Sequence, residues 1–212
     1  MKKIVSLTLA LVMIAMIVAG CAAEEKRLVG TWKGELDMTA SLLEEMGEQL
    51  DGFELQEFRV TVVYTFREDG TYEMGLDEAS VQAAFDGLID SMKALMKEKL
   101  EQRAQEQGKD LEQLLANSGL TVEDLMKNIT DAAAEKNLAE RLMERSQVQG
   151  RYKAEDGKLY ITTAPDEEIS AEVYDTYALK GDVLTLTNTV GSNEENLIHA
   201  VYPVILKKLH KP

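Results

Sequence analysis

The stretch Phe58-Arg59-Val60-Thr61-Val62-Val63-Tyr64-Thr65-Phe66 carries the clearest pattern in this chain of 212 residues. Its apolar side chains alternate with Arg59, Thr61 and Thr65, which is the period of a β-strand with one buried face. Glu68-Asp69-Gly70 follows directly, and glycine supplies the positive φ that a tight hairpin turn needs. The stretch therefore predicts an antiparallel strand that turns at once into its neighbour.

Similar patterns on both sides of this stretch predict seven further strands. They centre on Trp32, Tyr72, Tyr152, Leu159, Tyr177, Leu184 and Val204. Between the third and fourth strands, residues 79–146 change to apolar steps of three and four, which is typical of amphipathic helices. Eight short strands joined in sequence fit an up-and-down barrel, whose closure removes exposed edges. The predicted fold is mainly β with a large α insertion: an eight-stranded antiparallel barrel over residues 29–212, interrupted by helices at 79–146.

The lengths of the connections predict which end of the barrel is open. Tight turns occur at Asp69-Gly70, Asp156-Gly157 and Gly181-Asp182, and these are alternate connections. Alternate connections of an up-and-down barrel lie at opposite ends, so the long ones, including 79–146, should gather at the other end. The helices are therefore expected over the barrel mouth. An eight-stranded barrel has room inside for side chains or for one small ligand.

The N-terminus has a different character. Lys2-Lys3 precede an apolar block from Ile4 to Val18 and then Ala19-Gly20-Cys21, the pattern of a secretory signal. The ending resembles the lipobox of bacterial lipoproteins. That resemblance implies cleavage of a signal peptide at residues 1–20, lipidation of Cys21 with acyl chains such as palmitate, and a tether at 21–28. It also implies an exported protein, lipid-anchored at the outer face of the cell membrane. An uncleaved anchor or ordinary secretion is the alternative.

Composition narrows the possible partners. The chain has 38 acidic and 23 basic residues, a net charge of −15. Such a charge disfavours nucleic acid and anionic headgroups, so membrane attachment is expected to depend on the acyl chains. With Cys21 lipidated, no thiol remains for a disulfide or a metal. No cofactor and no nucleic-acid partner is predicted.

Three short motifs indicate a family. Gly30-Thr31-Trp32 resembles the Gly-x-Trp of the first lipocalin strand, and residues 66–72 and 177–186 are similar to lipocalin-like domains of bacterial lipoproteins. The resemblance implies a calycin-type barrel that binds a small apolar ligand. Lipocalins usually place an arginine from the last strand on the tryptophan, whereas this chain offers Lys207 and Lys208.

Five residues are the candidates for the ligand-binding interior: Trp32, Tyr64, Tyr152, Asp175 and Tyr177. Trp32 can equally be a core anchor that closes the barrel base. The strand period places Asp175 inside with Tyr177, and a buried carboxylate needs a partner or a proton. A register break that exposes Asp175 is the favoured alternative.

The helical insertion has two functional interpretations. In the first, apolar side chains form a lid over the cavity, with methionine adapting to varied ligand shapes. The lid candidates are Phe85, Leu88, Met92, Met96, Leu125 and Met126. In the second, residues 97–144 resemble the helical arm of trigger-factor-type chaperones, which implies a protein or peptide partner. A third possibility is that the helices pack on each other and on the barrel and bind nothing.

Signals for catalysis are few. His199 and His210 have no Cys or carboxylate partner at a recognisable spacing and are expected at the surface. No Gly-rich phosphate loop or metal-ligand spacing occurs, and the charge run Asp166-Glu167-Glu168 is expected to be a solvated face. The chain is therefore predicted not to be an enzyme, and only Asp175 supports the opposite view.

Overall fold

Eight antiparallel strands close into one barrel in the computed structural model of the protein. Each strand pairs with its neighbour in sequence, and β1 pairs with β8, so the predicted fold class is confirmed. The structure describes residues 24–46, 57–116, 119–135, 137–191 and 201–210. The strands are β1 (Gly30–Asp37), β2 (Arg59–Phe66), β3 (Thr71–Leu76), β4 (Val148–Glu155), β5 (Lys158–Ile161), β6 (Tyr174–Lys180), β7 (Val183–Val190) and β8 (Val204–Lys208).

Helices occupy two of the connections. A short helix lies between β1 and β2, and the predicted insertion between β3 and β4 consists of four helices. The helices are α1 (Thr39–Met46), α2 (Glu78–Glu106), α3 (Leu111–Ala116), α4 (Val122–Glu135) and α5 (Leu138–Ser146).

The hairpin predicted from the opening stretch is present. On β2, Val60, Val62, Tyr64 and Phe66 are all buried. The chain then turns through Gly70, whose φ of 79° lies in the region that favours glycine. The Asp69 carboxylate accepts a hydrogen bond from the Thr71 backbone at 3.0 Å, which fixes the entry into β3. Side-chain alternation and turn chemistry therefore set the β2–β3 register together.

Inward-facing side chains pack against one another inside the barrel. The ring of Phe66 meets the ring of Tyr152 edge-on at a centroid distance of 4.9 Å, and it stacks near Tyr72 at 6.1 Å. Such aromatic pairs stabilise a core beyond the area they bury. The fully buried side chains of this core include Trp32, Leu36, Val62, Leu159, Leu184, Leu186 and Leu206.

The chain divides into two compact units. Among the described residues, the barrel unit comprises 24–36, 62–75, 147–191 and 201–210, and the helical unit comprises the described parts of 37–61 and 76–146. In the helical unit, α2 contacts α3, α4 and α5. Asp77 caps α2 by accepting from the Ser80 backbone at 3.1 Å. A capping box begins α4, because Thr121 and Asp124 each accept a hydrogen bond from the other's backbone N–H at 3.0 Å.

Candidate functional site

Asp175 is the buried carboxylate of the barrel interior. It lies on β6 and is only 2% exposed, so the expectation that a register break would expose it is wrong. A break does exist in the β6–β7 pairing. Thr176 pairs with Asn188, but Tyr177 pairs with Leu186, which leaves Thr187 as an extra residue on β7. The extra residue therefore lies on β7, where it changes which side chains face inward. The side chain of Asp175 on β6 still points into the barrel.

The shifted β7 brings a hydroxyl to this carboxylate. Asp175 pairs with Thr189, and the Thr189 hydroxyl donates a hydrogen bond to it. Tyr202, just before β8, is also hydrogen-bonded to Asp175, and its hydroxyl lies 3.1 Å from Thr189 Oγ1. The burial cost of the carboxylate is thus offset by hydrogen bonds.

Two further tyrosines share this part of the interior. Tyr64 is 3% exposed and Tyr72 is 1% exposed. Burial raises the pKa of Tyr64 well above its usual value, and the charges of Tyr202 and Asp175 raise it further. Burial and Asp175 also raise the pKa values of Tyr72 and Tyr202. All of these tyrosines are therefore neutral hydrogen-bonding groups near pH 7.

The hydroxyls of Tyr64 and Tyr72 differ in their partners. The Tyr72 hydroxyl donates to the Thr162 carbonyl oxygen at 2.8 Å and so has a structural role. The ring of Tyr64 stacks on Phe66 at a centroid distance of 5.9 Å, and Asp175 and Tyr202 lie near enough to influence its hydroxyl. Among the described residues, no fully buried side-chain nitrogen or oxygen lacks a hydrogen-bond partner. We call Tyr64, Tyr72, Asp175, Thr189 and Tyr202 the interior polar cluster.

Tyr152 and Tyr177, two of the predicted site residues, have other partners. The Tyr152 hydroxyl donates to the Arg67 carbonyl oxygen at 2.9 Å, next to the β2–β3 turn. The Tyr177 hydroxyl donates to the Glu24 carboxylate at 3.1 Å. Burial raises the pKa of Tyr152 to about 12, and burial together with the hydrogen bond to Glu24 raises the pKa of Tyr177. The structure therefore brings Tyr64 and Asp175 together. The hydroxyls of Tyr152 and Tyr177 instead bond to Arg67 and Glu24, away from Asp175.

Trp32, the fifth interior candidate, is a core anchor. It is completely buried, and its indole N–H donates to the Leu28 carbonyl oxygen at 2.6 Å. Lys208 lies opposite Trp32 in the β1–β8 register, and its Nζ is 5.1 Å from the indole ring centroid. A lysine of the last strand thus makes the cation–π contact for which the family resemblance implies an arginine.

Residues 24–28 of the predicted tether are not extended. Residues 24–28 form one helical turn, and Leu28 at its end is completely buried. Glu25 accepts a hydrogen bond from the Ala154 backbone at 3.4 Å, and Arg27 donates to the Leu179 carbonyl oxygen at 3.3 Å. The turn is therefore fastened to the barrel at the ends of β4 and β6. Sequence reasoning missed it because the charged Glu-Glu-Lys-Arg run resembles a solvated linker.

The lid candidates all lie in the helical unit. Phe85 and Leu88 are buried, and Phe85 meets Phe58 edge-on at a centroid distance of 5.0 Å. The methionine and leucine candidates Met92, Met96, Leu125 and Met126 are half-buried. A cleft of about 110 Å³ on α2 is lined by Phe58, Ala84, Gly87, Leu88 and neighbouring residues. A position of these helices over the barrel mouth stays a prediction.

The remaining candidates give no catalytic constellation. Among the described residues, no group of three or more His, Cys, Asp or Glu side chains is arranged to hold a metal ion. His210 Nε2 lies 3.0 Å from the Asp182 carboxylate in an exposed contact. Cys21 and His199 lie outside the described residues. In the described part of the chain, no helix combines the length and apolar character needed to cross a membrane.

Comparison with known proteins adds no relative. No family model, curated protein or solved structure matches this chain. Two residues of the interior polar cluster, Thr189 and Tyr202, were not predicted as site residues. Tyr202 precedes the last strand, where no sequence pattern indicates a partner, and the position of Thr189 depends on a bulge that no glycine marks. The proposed function therefore depends on the geometry of the barrel interior.

Proposed function

We propose that the protein is a lipid-anchored, non-enzymatic cell-envelope protein whose lipocalin-like barrel binds one small, largely apolar ligand. The observation that carries this proposal is the interior polar cluster, in which the buried Asp175 carboxyl group and the tyrosines around it lie inside an otherwise apolar barrel. A ligand site of this kind combines apolar walls with a few polar groups that fix orientation. The barrel interior supplies both.

The lipocalin-like assignment is supported by position as well as by motif. Trp32 lies on the first strand, is completely buried, and is covered by Lys208 from the last strand. Eight antiparallel strands close around it in sequence order. Barrels of this size hold one small ligand when side chains do not fill them.

The interior polar cluster favours some ligands over others. Asp175 raises the pKa values of three surrounding tyrosines, so the local potential disfavours a second negative charge. The preferred ligand is an apolar molecule with a neutral polar group, such as a hydroxyl or amide, that bonds to Tyr64. A free carboxylate at this point is disfavoured.

Native mass spectrometry of the full chain purified from its membrane tests this function. Tyr64→Phe removes only the hydroxyl and should reduce ligand occupancy about tenfold, since a lost hydrogen bond costs about 1–1.5 kcal/mol. Tyr160→Phe makes the same change on a ring that packs against Tyr174, outside the cluster, and should leave occupancy unchanged. A chain that carries no copurifying molecule and takes up none from a lipid extract would exclude the ligand-binding function.

The helical unit supports a second candidate, a protein-interaction or chaperone-like role. This unit contains 22 acidic and 10 basic residues, so it fits a basic peptide or protein segment. Replacing residues 79–146 with a short linker should preserve the Trp32 fluorescence of a folded barrel but abolish cellular crosslinks. Crosslinks that persist without the helices would rule out this role.

A further inference from the structure

The cleft on α2 is an apolar space on the surface of the helical unit. It measures about 110 Å³ and lies beside Gly87. Phe58 and Leu88 form its buried apolar part, whereas Ala83 and Gly87 are exposed. An apolar cavity of about 150 Å³ holds one benzene molecule, so this cleft has room for one aliphatic side chain.

The glycine at position 87 has no packing role among the described residues. A Cβ added to Gly87 would meet no other atom within 4 Å. Glycine weakens a helix interior relative to alanine, and its usual benefit is that another group can approach the backbone closely. The Ser91 hydroxyl already donates to the Gly87 carbonyl oxygen at 2.8 Å. The space beside Gly87 is therefore open, and its polar groups are satisfied.

Contacts between the start of β2 and α2 hold the cleft in shape. The Phe58 backbone N–H donates to the Thr39 hydroxyl at 2.7 Å, and the Phe58 ring packs edge-on against Phe85. The Thr61 backbone N–H donates to the Ser80 hydroxyl at 2.9 Å. The cleft is therefore built by the chain itself and does not need a partner to form it.

Carboxylates surround the cleft. Glu57 is one of its lining residues, and Asp86 and Asp90 are exposed on α2 within one turn of it. Glu57 pairs with Arg59 at 2.9 Å, and Asp90 pairs with Lys93 at 3.8 Å. Ion pairs between such exposed carboxylates and basic side chains contribute little, so basic groups of a partner can replace them.

The negative charge of the helical unit is concentrated in the segments that build this cleft. Residues 37–61 contain 7 acidic and 1 basic residue, and residues 76–93 contain 4 and 1. The rest of the unit, residues 94–146, contains 11 acidic and 8 basic residues. The cleft therefore lies in the strongly acidic part of the unit, while the remainder is closer to balance.

This charge identifies the chemistry of the occupant. A second copy would bring a helical unit with the same excess, 22 acidic against 10 basic residues, and like charges disfavour that contact. A basic segment of another protein is attracted instead, and its encounter with the cleft is steered by the opposite charge.

We propose that the cleft on α2 binds a protein segment that carries one aliphatic side chain between lysines or arginines. The aliphatic side chain fills the space beside Gly87, and the basic residues contact Glu57, Asp86 and Asp90. A buried apolar anchor inside a polar rim is the usual arrangement of a strong contact point. The proposal rests on the second proposed function, the protein-interaction role, and gives that role a surface and a class of partner.

Selection from a display library of random short peptides tests the class of partner. The full chain is the bait, and fluorescence anisotropy measures the affinity of each selected peptide. Enriched peptides should carry leucine, isoleucine, valine or methionine between lysines or arginines, and their affinity should fall at high salt. A library that yields no binder, or only binders without basic residues, would overturn the proposal.

Gly87→Leu tests the position of the site, because it fills the cleft and leaves every charge in place. It should weaken the selected peptides about tenfold or more, since an apolar anchor in a pocket dominates such contacts. Gln105→Leu is the matched control, adding the same side chain at an exposed position about 27 Å farther along α2. Ala83→Leu is a second filling variant if Gly87→Leu unfolds at a lower temperature. Equal affinities for the filling variants and the control would contradict the proposal.

A triple variant tests the rim. Glu57→Gln, Asp86→Asn and Asp90→Asn together should weaken the peptides about tenfold at low salt, because the complementary charge is lost. Glu98→Gln, Glu101→Gln and Glu106→Gln remove the same number of exposed carboxylates farther along α2 and should have a much smaller effect. Equal losses in the two triple variants would show that overall charge, not the rim of the cleft, attracts the peptides, and would overturn the proposed site.

Cellular crosslinks separate failure of the cleft from failure of the protein-interaction role. Crosslinks that disappear both in Gly87→Leu and when residues 79–146 are replaced support the cleft. Crosslinks that persist in Gly87→Leu but disappear with the helices overturn the cleft and retain the role, and crosslinks that persist in both overturn both. Light scattering tests for a second copy, because a dimer that dissociates with Gly87→Leu would assign the cleft to self-association and overturn the proposal.

Discussion

Thr189 donates a hydrogen bond to the buried carboxylate of Asp175, and the two residues face each other because β7 contains one extra residue, Thr187. If the pairing from Tyr177 and Leu186 continued without a bulge, the position opposite Asp175 would fall to Asn188. The bulge therefore selects which side chain meets the carboxylate. Bulges beside functional sites commonly redirect a side chain in this way.

The first prediction concerns this hydrogen bond. Thr189→Val keeps the shape of the side chain but removes the donor, so the buried carboxylate loses a partner. The free energy of unfolding should fall by about 1–3 kcal/mol. Urea unfolding followed by Trp32 fluorescence measures it, because Trp32 is the only tryptophan and lies in the barrel unit. Thr187→Val, on the exposed bulge residue, should cost less than about 0.5 kcal/mol. Equal costs would show that Asp175 does not depend on Thr189.

The second prediction is a loss of stability at alkaline pH. The folded-state pKa of Tyr152 is raised to about 12, while an unfolded tyrosine titrates near 10. The folded protein therefore binds the proton more tightly, and its stability falls as the pH rises from about 10 to 12. The slope due to Tyr152 approaches about 1.4 kcal/mol per pH unit, and the other buried tyrosines steepen it.

Urea midpoints measured across this pH range check the sign and the size of the effect. Tyr152→Phe should make the decline between pH 10 and 12 shallower. Tyrosinate absorbance reports the titration directly. A wild-type stability that is constant across the range would contradict the buried, neutral state of Tyr152.

The third prediction concerns the close approach of β4 to the segment after β5. A Cβ added to Gly150 would overlap the backbone carbonyl of Thr162, which itself accepts from the Tyr72 hydroxyl. Gly150→Ala should therefore destabilise the barrel by a few kcal/mol, in the range of overpacked cores. Gly75→Ala is the control, because the nearest side-chain atom to its added Cβ is 3.7 Å away, on Gln147. Thermal unfolding of both variants distinguishes them, and a tolerated Gly150→Ala would place Thr162 elsewhere.

The fourth prediction concerns the contact of Lys208 with the Trp32 ring at 5.1 Å. Lys208→Met keeps the apolar stem but removes the charge, and should cost about 0.5–1 kcal/mol. Lys208→Arg keeps a positive charge on the indole ring and should preserve or raise the melting temperature. Trp32 fluorescence should shift in the Met variant and not in the Arg variant. Lys153→Met is the control. It removes the same charge from a lysine whose Nζ lies 5.9 Å from the centroid of the Tyr160 ring.

The barrel could be predicted because its signals are local. Alternation in residues 58–66 and the positive-φ glycine at position 70 specify a hairpin without reference to the rest of the chain. Capping residues such as Thr121 and Asp124 likewise mark a helix start within four residues. These features depend on neighbours in sequence, so a single sequence is sufficient to find them.

The site could be predicted only in part because its partners are distant in sequence. Period two placed Asp175 inward, but only the β6–β7 register shows that Thr189 faces it. The charged residues 24–28 were expected to be solvated, yet Leu28 and the Trp32 indole bind them to the barrel. Long-range hydrogen bonds to backbone groups leave no pattern in the residues that accept them.

The seam between β1 and β8 also bears on how the barrel forms. The contact of Lys208 with Arg27 joins groups 181 positions apart in the chain, and the β1–β8 register lies beside it. A contact between residues so far apart in the chain can form only after a large loss of loop-closure entropy, and this loss slows folding. The helices between β3 and β4 use local contacts and can form first. Closure of the barrel must therefore wait for the last strand, and until then β1 has an unpaired edge.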